Sequence, residues 1–204
     1  MPGRNLEKIY LEDAFYHIYN RGVNKQNIFI DDQDFSVFLN LLKRYLGDAP
    51  VQDQQGREYP WLHKEIELLA YCLMPNHYHL LIHQNKSDAM TKLLKSLNTT
   101  YSMYFNKKYH RIGPLFETRF KASMITRDDY LMHISRYIHL NPRHYKKWAF
   151  SSLPYYLGVQ SATWLKPKKI LDLFDTKKDY SDFLTDFEDY KRSLDAVKAE
   201  LANT

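Results

Sequence analysis

Cysteine is nearly absent: Cys72 is the single example in 204 residues. One thiol excludes an internal disulfide and any zinc site built from several thiolates, and it fits a reducing cytoplasm. Long apolar runs are missing as well. No segment approaches the run of about 18 apolar residues that spans a bilayer, and no charged-then-apolar start suggests export, so no membrane partner is expected. Internal repeats, low-complexity tracts and Gly/Ser linkers are also lacking. What is present is a chain with 44% apolar residues, enough for one globular domain or one domain with an appendage.

The net charge is only +5, but it is unevenly spread. Residues 86–147 hold 13 Lys and Arg against 4 Asp and Glu, a net of +9. Residues 170–204 hold 5 basic and 9 acidic side chains, a net of −4. A basic middle rich in tyrosine suits nucleic acid, since phosphates attract cations and bases stack on aromatic faces. A solvated basic face has the same composition.

Strands and helices alternate along the chain. Phe15 to Asn20 reads as an aromatic-rich strand closed by Arg21-Gly22. Phe35, Phe38, Leu39, Leu42 and Leu46 keep a helical period that stops near Gly47, and 48–59 is a polar loop. Ile66 to Leu73 and His77 to His83 are two apolar runs joined by the hairpin signal Met74-Pro75-Asn76. Met90, Leu93, Leu94, Leu97, Tyr101, Tyr104 and Phe105 predict a helix capped by Ser87 or Asp88. Alternation from Phe116 to Ser123 predicts a strand with Arg119 and Lys121 on its polar face. Thr126 and Asp129 form a capping-box pattern opening a helix with Leu131, Ile134 and Ile138 as its buried stripe, ended by Pro142. Residues 148–169 are irregular, with aromatics expected to pack down. Phe183, Phe187, Tyr190, Leu194, Val197 and Leu201 predict a last amphipathic helix. The expected class is α+β, one antiparallel sheet with helices on one side.

Two constellations carry chemistry. His77 and His79 are two apart on a strand, so both imidazoles share a face with Leu81 and His83, while Tyr78, Leu80 and Ile82 face the other way. Tyr137 and Asn141 are four apart at a helix end, with Tyr130 and His133 on the same stripe. If that helix covers the histidine face, two nitrogens and one oxygen surround an ion with a phenol beside them. Each half has an ordinary alternative: solvent-facing histidines for the first, a core tyrosine and a helix-ending asparagine for the second. His139, about 200° around the helix from Tyr137, reads as structural, and His17 reads as a packed core histidine, the alternative being a place on the histidine face. Asn20, Arg21, Arg119 and Lys121 are candidate phosphate contacts, the alternative being plain surface charge.

Read in order, YHIYNRG (Tyr16–Gly22), MPNHYHLLI (Met74–Ile82), GPLFETRFKA (Gly113–Ala122), RYIHLNP (Arg136–Pro142) and WAFSSLPYYLG (Trp148–Gly158) resemble the REP-associated tyrosine transposases, of the single-tyrosine HUH family. The resemblance covers roughly 15–158. It implies a ferredoxin-like or RRM-like antiparallel sheet with helices packed on it. It implies a catalytic domain over 10–158; residues 159–204 match none of its motifs and read, from their own pattern, as an extension with an amphipathic acidic helix. It further implies Mg2+ or Mn2+ held by His77, His79 and Asn141, with Tyr137 as nucleophile. The implied substrate is single-stranded DNA folded into imperfect palindromic hairpins, and the implied assembly is a monomer or a homodimer. The sequence departs from the family in Tyr78, where an aliphatic residue is usual, and in Arg143-His144-Tyr145 after the Asn-Pro pair.

The expected chemistry follows from residue types. A phenol ionises near a pKa of about 10, so about one molecule in a thousand is phenolate at pH 7, a deficit of roughly 4 kcal/mol. A divalent ion on neutral imidazoles and an amide can neutralise a phosphate oxygen and align an in-line displacement. Attack by Tyr137 would give a 5′-phosphotyrosine and a free 3′-hydroxyl, and a second 3′-hydroxyl can reverse the step. Two rivals stand beside this reading. A non-catalytic RRM-like binder of single-stranded nucleic acid would make no covalent adduct. A metal-dependent hydrolase using water would survive Tyr137→Phe.

Overall fold

The aromatic run near the start forms strand β1, Ala14–Arg21, in a computed structural model that describes residues 10–187. Helix α1 follows over Asp32–Leu46. The Asp31 carboxylate accepts from the Asp34 N–H at 3.1 Å and the Asp34 carboxylate accepts from the Asp31 N–H at 3.3 Å, a reciprocal cap that fixes the helix start. Strands β2 (Ile66–Met74) and β3 (His77–Gln84) form the hairpin expected around Pro75-Asn76. Helix α2 (Ala89–Lys108), strand β4 (Lys121–Ile125) and helix α3 (Asp128–His139) complete the core order. Two one-turn helices, α4 (Leu153–Tyr156) and α5 (Lys168–Leu171), interrupt the irregular region, and 177–187 is helical.

The sheet order is β2-β3-β1-β4, with every neighbouring pair antiparallel. Two βαβ halves interleaved this way make the ferredoxin-like arrangement that the motifs imply. Alternation then divides the side chains. Tyr16, Ile18, Tyr78, Leu80 and Ile82 face α1 and α2, where Phe38, Leu42, Leu97 and Tyr101 are wholly buried. Each such side chain contributes about 1.5–3 kcal/mol from apolar burial.

The other face is also covered, which corrects the expectation of helices on one side. Ala70, Cys72, Leu81 and Ile125 lie under Leu131, Ile134 and Ile138 of α3, with Tyr156, Ile170 and Tyr180 closing one end. A bulge between Leu68 and Ala70 adds one residue to β2, and the Leu69 carbonyl accepts from the Tyr156 hydroxyl at 3.0 Å. The aromatics of 148–169 do pack down. Phe150 stacks on Phe35 at 4.1 Å, and the Trp148 indole N–H donates to the Leu73 carbonyl at 2.9 Å.

Two further expectations are corrected. The strand predicted from Phe116 to Ser123 begins only at Lys121, because the Thr118 and Arg119 carbonyls are taken by side-chain amides. Asn20 Nδ2 donates to both at 3.0 Å, and Asn98 Nδ2 donates to Arg119 at 2.9 Å. The Thr126–Asp129 capping box does not form: α3 starts after Arg127, whose guanidinium holds the Asp129 carboxylate at 2.6 Å. Asp88 stands at the start of α2, but its carboxylate binds Lys92 at 2.8 Å rather than a helix N–H. Of the predicted last helix, Phe183 and Phe187 lie on the helical stretch, while Tyr190, Leu194, Val197 and Leu201 lie outside the described residues. Among the described residues no helix is long and apolar enough to cross a membrane.

Candidate active site

Strand register assembles the site floor. In β1 the period of two sends His17, Tyr19 and Arg21 to the α3 side, and pairing sets them beside Leu81, His79 and His77 of β3. On the other flank, β4 sets Lys121 beside Tyr19 and Ser123 beside His17. Gly22 ends β1 where the chain passes close to itself: its N–H donates to the Asn76 carbonyl at 3.0 Å. A Cβ at residue 22 would lie 2.3 Å from the Gln26 carbonyl oxygen and 2.9 Å from Ile28 Cγ2.

Helix α3 roofs this floor. Burying Leu131, Ile134 and Ile138 leaves Tyr130 and Tyr137 half-exposed on the open side. The Tyr137 ring stands 5.3 Å from the His79 ring and 5.9 Å from the His17 ring, edge-on to both. Between floor and roof is an open cavity of about 540 Å³, lined by His17, Tyr19, Arg21, His77, His79 and Lys121 among others.

The helix ends at His139 and Leu140 caps it, so Asn141 does not share a helical face with Tyr137 as the spacing predicted. The turn before Pro142 still carries its side chain to the histidines, with Asn141 Oδ1 3.2 Å from His77 Nε2. His77 Nδ1 lies 2.6 Å from Asn76 Oδ1, an acceptor, so the ring proton sits on Nδ1 and Nε2 keeps a lone pair. That lone pair faces the Asn141 oxygen. Two acceptors so close repel unless a cation lies between them or the amide turns its NH2 inward.

His79 carries the same signature more strongly. Its Nδ1 meets His17 Nε2 at 2.9 Å, while its Nε2 is buried with no hydrogen-bond partner among the described residues. Burial, the neighbouring His17 and His77 rings and Arg21 push His79 down to about 2. Burial pushes His17 down to about 4. His77 is also lowered, by burial and Arg21, against the opposing contact with Asn141. Near pH 7 all three imidazoles are therefore neutral, the state in which histidine ligates metal. Among the described residues no three His, Cys, Asp or Glu side chains cluster as a metal site; the donor set here is two imidazoles and an amide. That set suits a hard divalent ion completed by water or phosphate oxygens.

The candidate phosphate contacts divide. Arg21 and Lys121 line the cavity, Lys121 Nζ lying 5.6 Å from the centre of the Tyr19 ring. Asn20 also lines the cavity, but its side chain is largely engaged: its amide N–H groups go to Thr118 and Arg119, and its oxygen accepts from the Arg21 N–H at 3.0 Å. Arg119 lies apart from the cavity. It sits in the bent segment before β4 and lines a separate open groove with Asn98, Ser102 and Met103. His133 turns away to Arg136 and Phe183, whereas Tyr130 does line the cavity. His17 takes the alternative place, on the histidine face against His79, and Tyr19, which no motif singles out, lines the cavity beside it. Both are signalled by the same alternation that orders β1.

Residues 60–141 match the family model described as transposase, IS200-like. Among solved structures, a REP-associated tyrosine transposase bound to a REP hairpin aligns with a TM-score of 0.52 at 13% identity, covering 80% of this chain and 92% of that one. A structure from Deinococcus radiodurans R1, described provisionally as a transposase, aligns with a TM-score of 0.39 at 17% identity, over 68% and 95%. Among curated proteins there is no significant match. The resemblance carried by the motifs is thus shown: the chain matches the IS200-like transposases over 60–141 and has the fold of a REP-associated tyrosine transposase.

Proposed function

We propose that this chain nicks and rejoins single-stranded DNA through a covalent link to Tyr137. The observation that carries the reading is the half-exposed Tyr137 ring standing 5.3 Å from a histidine whose buried Nε2 has no partner among the described residues. His77 Nε2, His79 Nε2 and Asn141 Oδ1 would hold Mg2+ or Mn2+. Bound there, such an ion supplies charge neutralisation at a non-bridging phosphate oxygen.

The chain's own residues account for the rest. Arg21 and Lys121 draw the phosphate backbone into the cavity and fix its register. Tyr137 Oη attacks phosphorus, the bond to the 3′-oxygen breaks, and the phenolic proton is replaced on the departing oxygen. The products are a 5′-phosphotyrosine and a 3′-hydroxyl. Because one phosphodiester-level bond replaces another, a different 3′-hydroxyl can reverse the step without ATP. That reversibility is what transposition needs. Tyr137 faces the histidines of its own chain, so the reading requires no second copy to complete the site. The hairpin in the structurally similar transposase supports hairpin DNA as the substrate, and action on DNA fits a cytoplasmic location.

The test is to incubate the protein with end-labelled single-stranded hairpin DNA and Mn2+, then to look for protein-linked label on a denaturing gel. Wild type should form the adduct; Tyr137→Phe and His77→Ala should not. Cleavage persisting in Tyr137→Phe would favour a water-activating hydrolase, and binding without any adduct would favour a non-catalytic binder.

A further inference from the structure

Buried beneath α3 is a polar chain that the proposed chemistry does not use. Ser135, His139, Ser152 and Tyr180 are all fully buried. One proton assignment runs unbroken from β2 to α3, with the Ser152 hydroxyl donating to His139 rather than to its other acceptor, the Tyr71 carbonyl at 3.2 Å. The Tyr71 N–H donates to Ser152 Oγ at 2.9 Å, and the Ser152 hydroxyl donates to His139 Nε2 at 2.7 Å. His139 Nδ1–H donates to the Tyr180 hydroxyl at 2.6 Å. Tyr180 donates to Ser135 Oγ at 3.2 Å, and Ser135 donates to the Met132 carbonyl at 2.8 Å.

The ends of this chain matter. One is the backbone of β2 at Tyr71, whose neighbour Cys72 pairs with His79. The other is α3 itself, met at His139 and again at Ser135, which Tyr180 bridges from the 177–187 helical stretch. His139 sits in the middle, two residues after Tyr137 and two before Asn141. Leu131, Ile134 and Ile138 hold α3 against the sheet by apolar contact, which sets depth but is non-directional and lets the helix slide. Directional bonds remove that freedom.

We infer that Ser152, His139, Tyr180 and Ser135 are positioning residues that lock α3 along its axis, holding Tyr137 and Asn141 over the His77–His79 pair. Tyr180 thereby makes the segment after residue 158 a working part of the site. The inference rests on Tyr137 as nucleophile. A reacting group misplaced by 1 Å loses roughly a hundredfold in rate, so the bonds need only prevent a small slide.

Tyr180→Phe removes one oxygen and keeps the ring, and Ser135→Ala removes the acceptor beyond it. In the full chain, both should lower single-turnover adduct formation on labelled hairpin DNA with Mn2+ by roughly ten- to a hundredfold, with DNA affinity within about twofold of wild type. Amide hydrogen exchange should quicken in α3 while β1 and β3 keep the wild-type pattern. Wild-type adduct rates in both variants would overturn the inference, as would exchange quickened equally throughout the sheet. If wild type forms no adduct at all, the nicking reading fails by itself. Unchanged α3 exchange in Tyr180→Phe sinks the positioning chain whatever wild type does.

Discussion

Replacing His17 with phenylalanine keeps a ring in β1 but removes the nitrogen that meets His79 Nδ1 at 2.9 Å. His79 Nε2 is already unpartnered, so the variant buries a ring with neither nitrogen bonded, destabilising the fold by about 1–3 kcal/mol. The larger signal should come from metal. Losing the group that orients a ligating imidazole typically weakens metal binding by about 10- to 100-fold. Free Mn2+ at 100 times the wild-type dissociation constant adds about 2.7 kcal/mol, and the same relation gives the variant roughly 0.4–1.4 kcal/mol. At about 2–4 °C per kcal/mol for a chain of this size, Mn2+ should raise the wild-type Tm by about 5–11 °C and that of His17→Phe by about 1–6 °C. Circular dichroism melts with and without Mn2+ read both numbers, and His77→Ala should show almost no shift. Equal Mn2+ shifts in His17→Phe and wild type would refute the argument that His17 sets the lone pair of His79.

The cavity and the α2 groove make opposite predictions for three basic residues. Arg21→Ala and Lys121→Ala should each weaken single-strand binding and lower the slope of log affinity against log salt by about 0.7, while Arg119→Ala should leave the cleavage-strand affinity unchanged in the same titration. Stability at low pH should follow Asp34. Burial alone would raise its carboxyl, but Lys108, the Ile30 N–H, Tyr109 and Tyr104 outweigh it and hold the pKa below the usual carboxylate range. A lowered folded pKa means stability that is present above the unfolded value and lost as the pH falls through the folded one. Urea melts of wild type should therefore weaken below about pH 4, and Asp34→Asn should flatten that part of the profile.

The histidine pair, the tyrosine and the asparagine were all legible in the sequence, because a period of two and a motif in order need no tertiary information. What misled was alternation without a ladder. Phe116 and Phe120 pack inward as strand residues do, but Asn20 and Asn98 had claimed the carbonyls between them, and no spacing announces a capture from 98 residues away. The same bond engages the Asn20 side chain, which spacing alone does not reveal. The covering of both sheet faces did leave a trace. Ile66–Met74 is an almost unbroken apolar run, the mark of a strand buried on two sides. The sequence leaves His17 between the core and the histidine face, because its contact with His79 runs across a strand pairing that one segment does not reveal.

Gly22 has a consequence beyond its own turn. With hydrogen for a side chain, it lets the following loop close over the β2–β3 hairpin, where the Ile28 and Phe29 N–H groups both donate to the Pro75 carbonyl, at 2.8 and 3.0 Å. Arg21 and His77 are thus joined by a hinge pin with no slack, and any larger residue would shift the cation and the imidazole together. On the proposed function, a scaffold built this way could be retuned to new DNA strands at its rim, through Lys121 or Tyr130, while the joint underneath stays fixed.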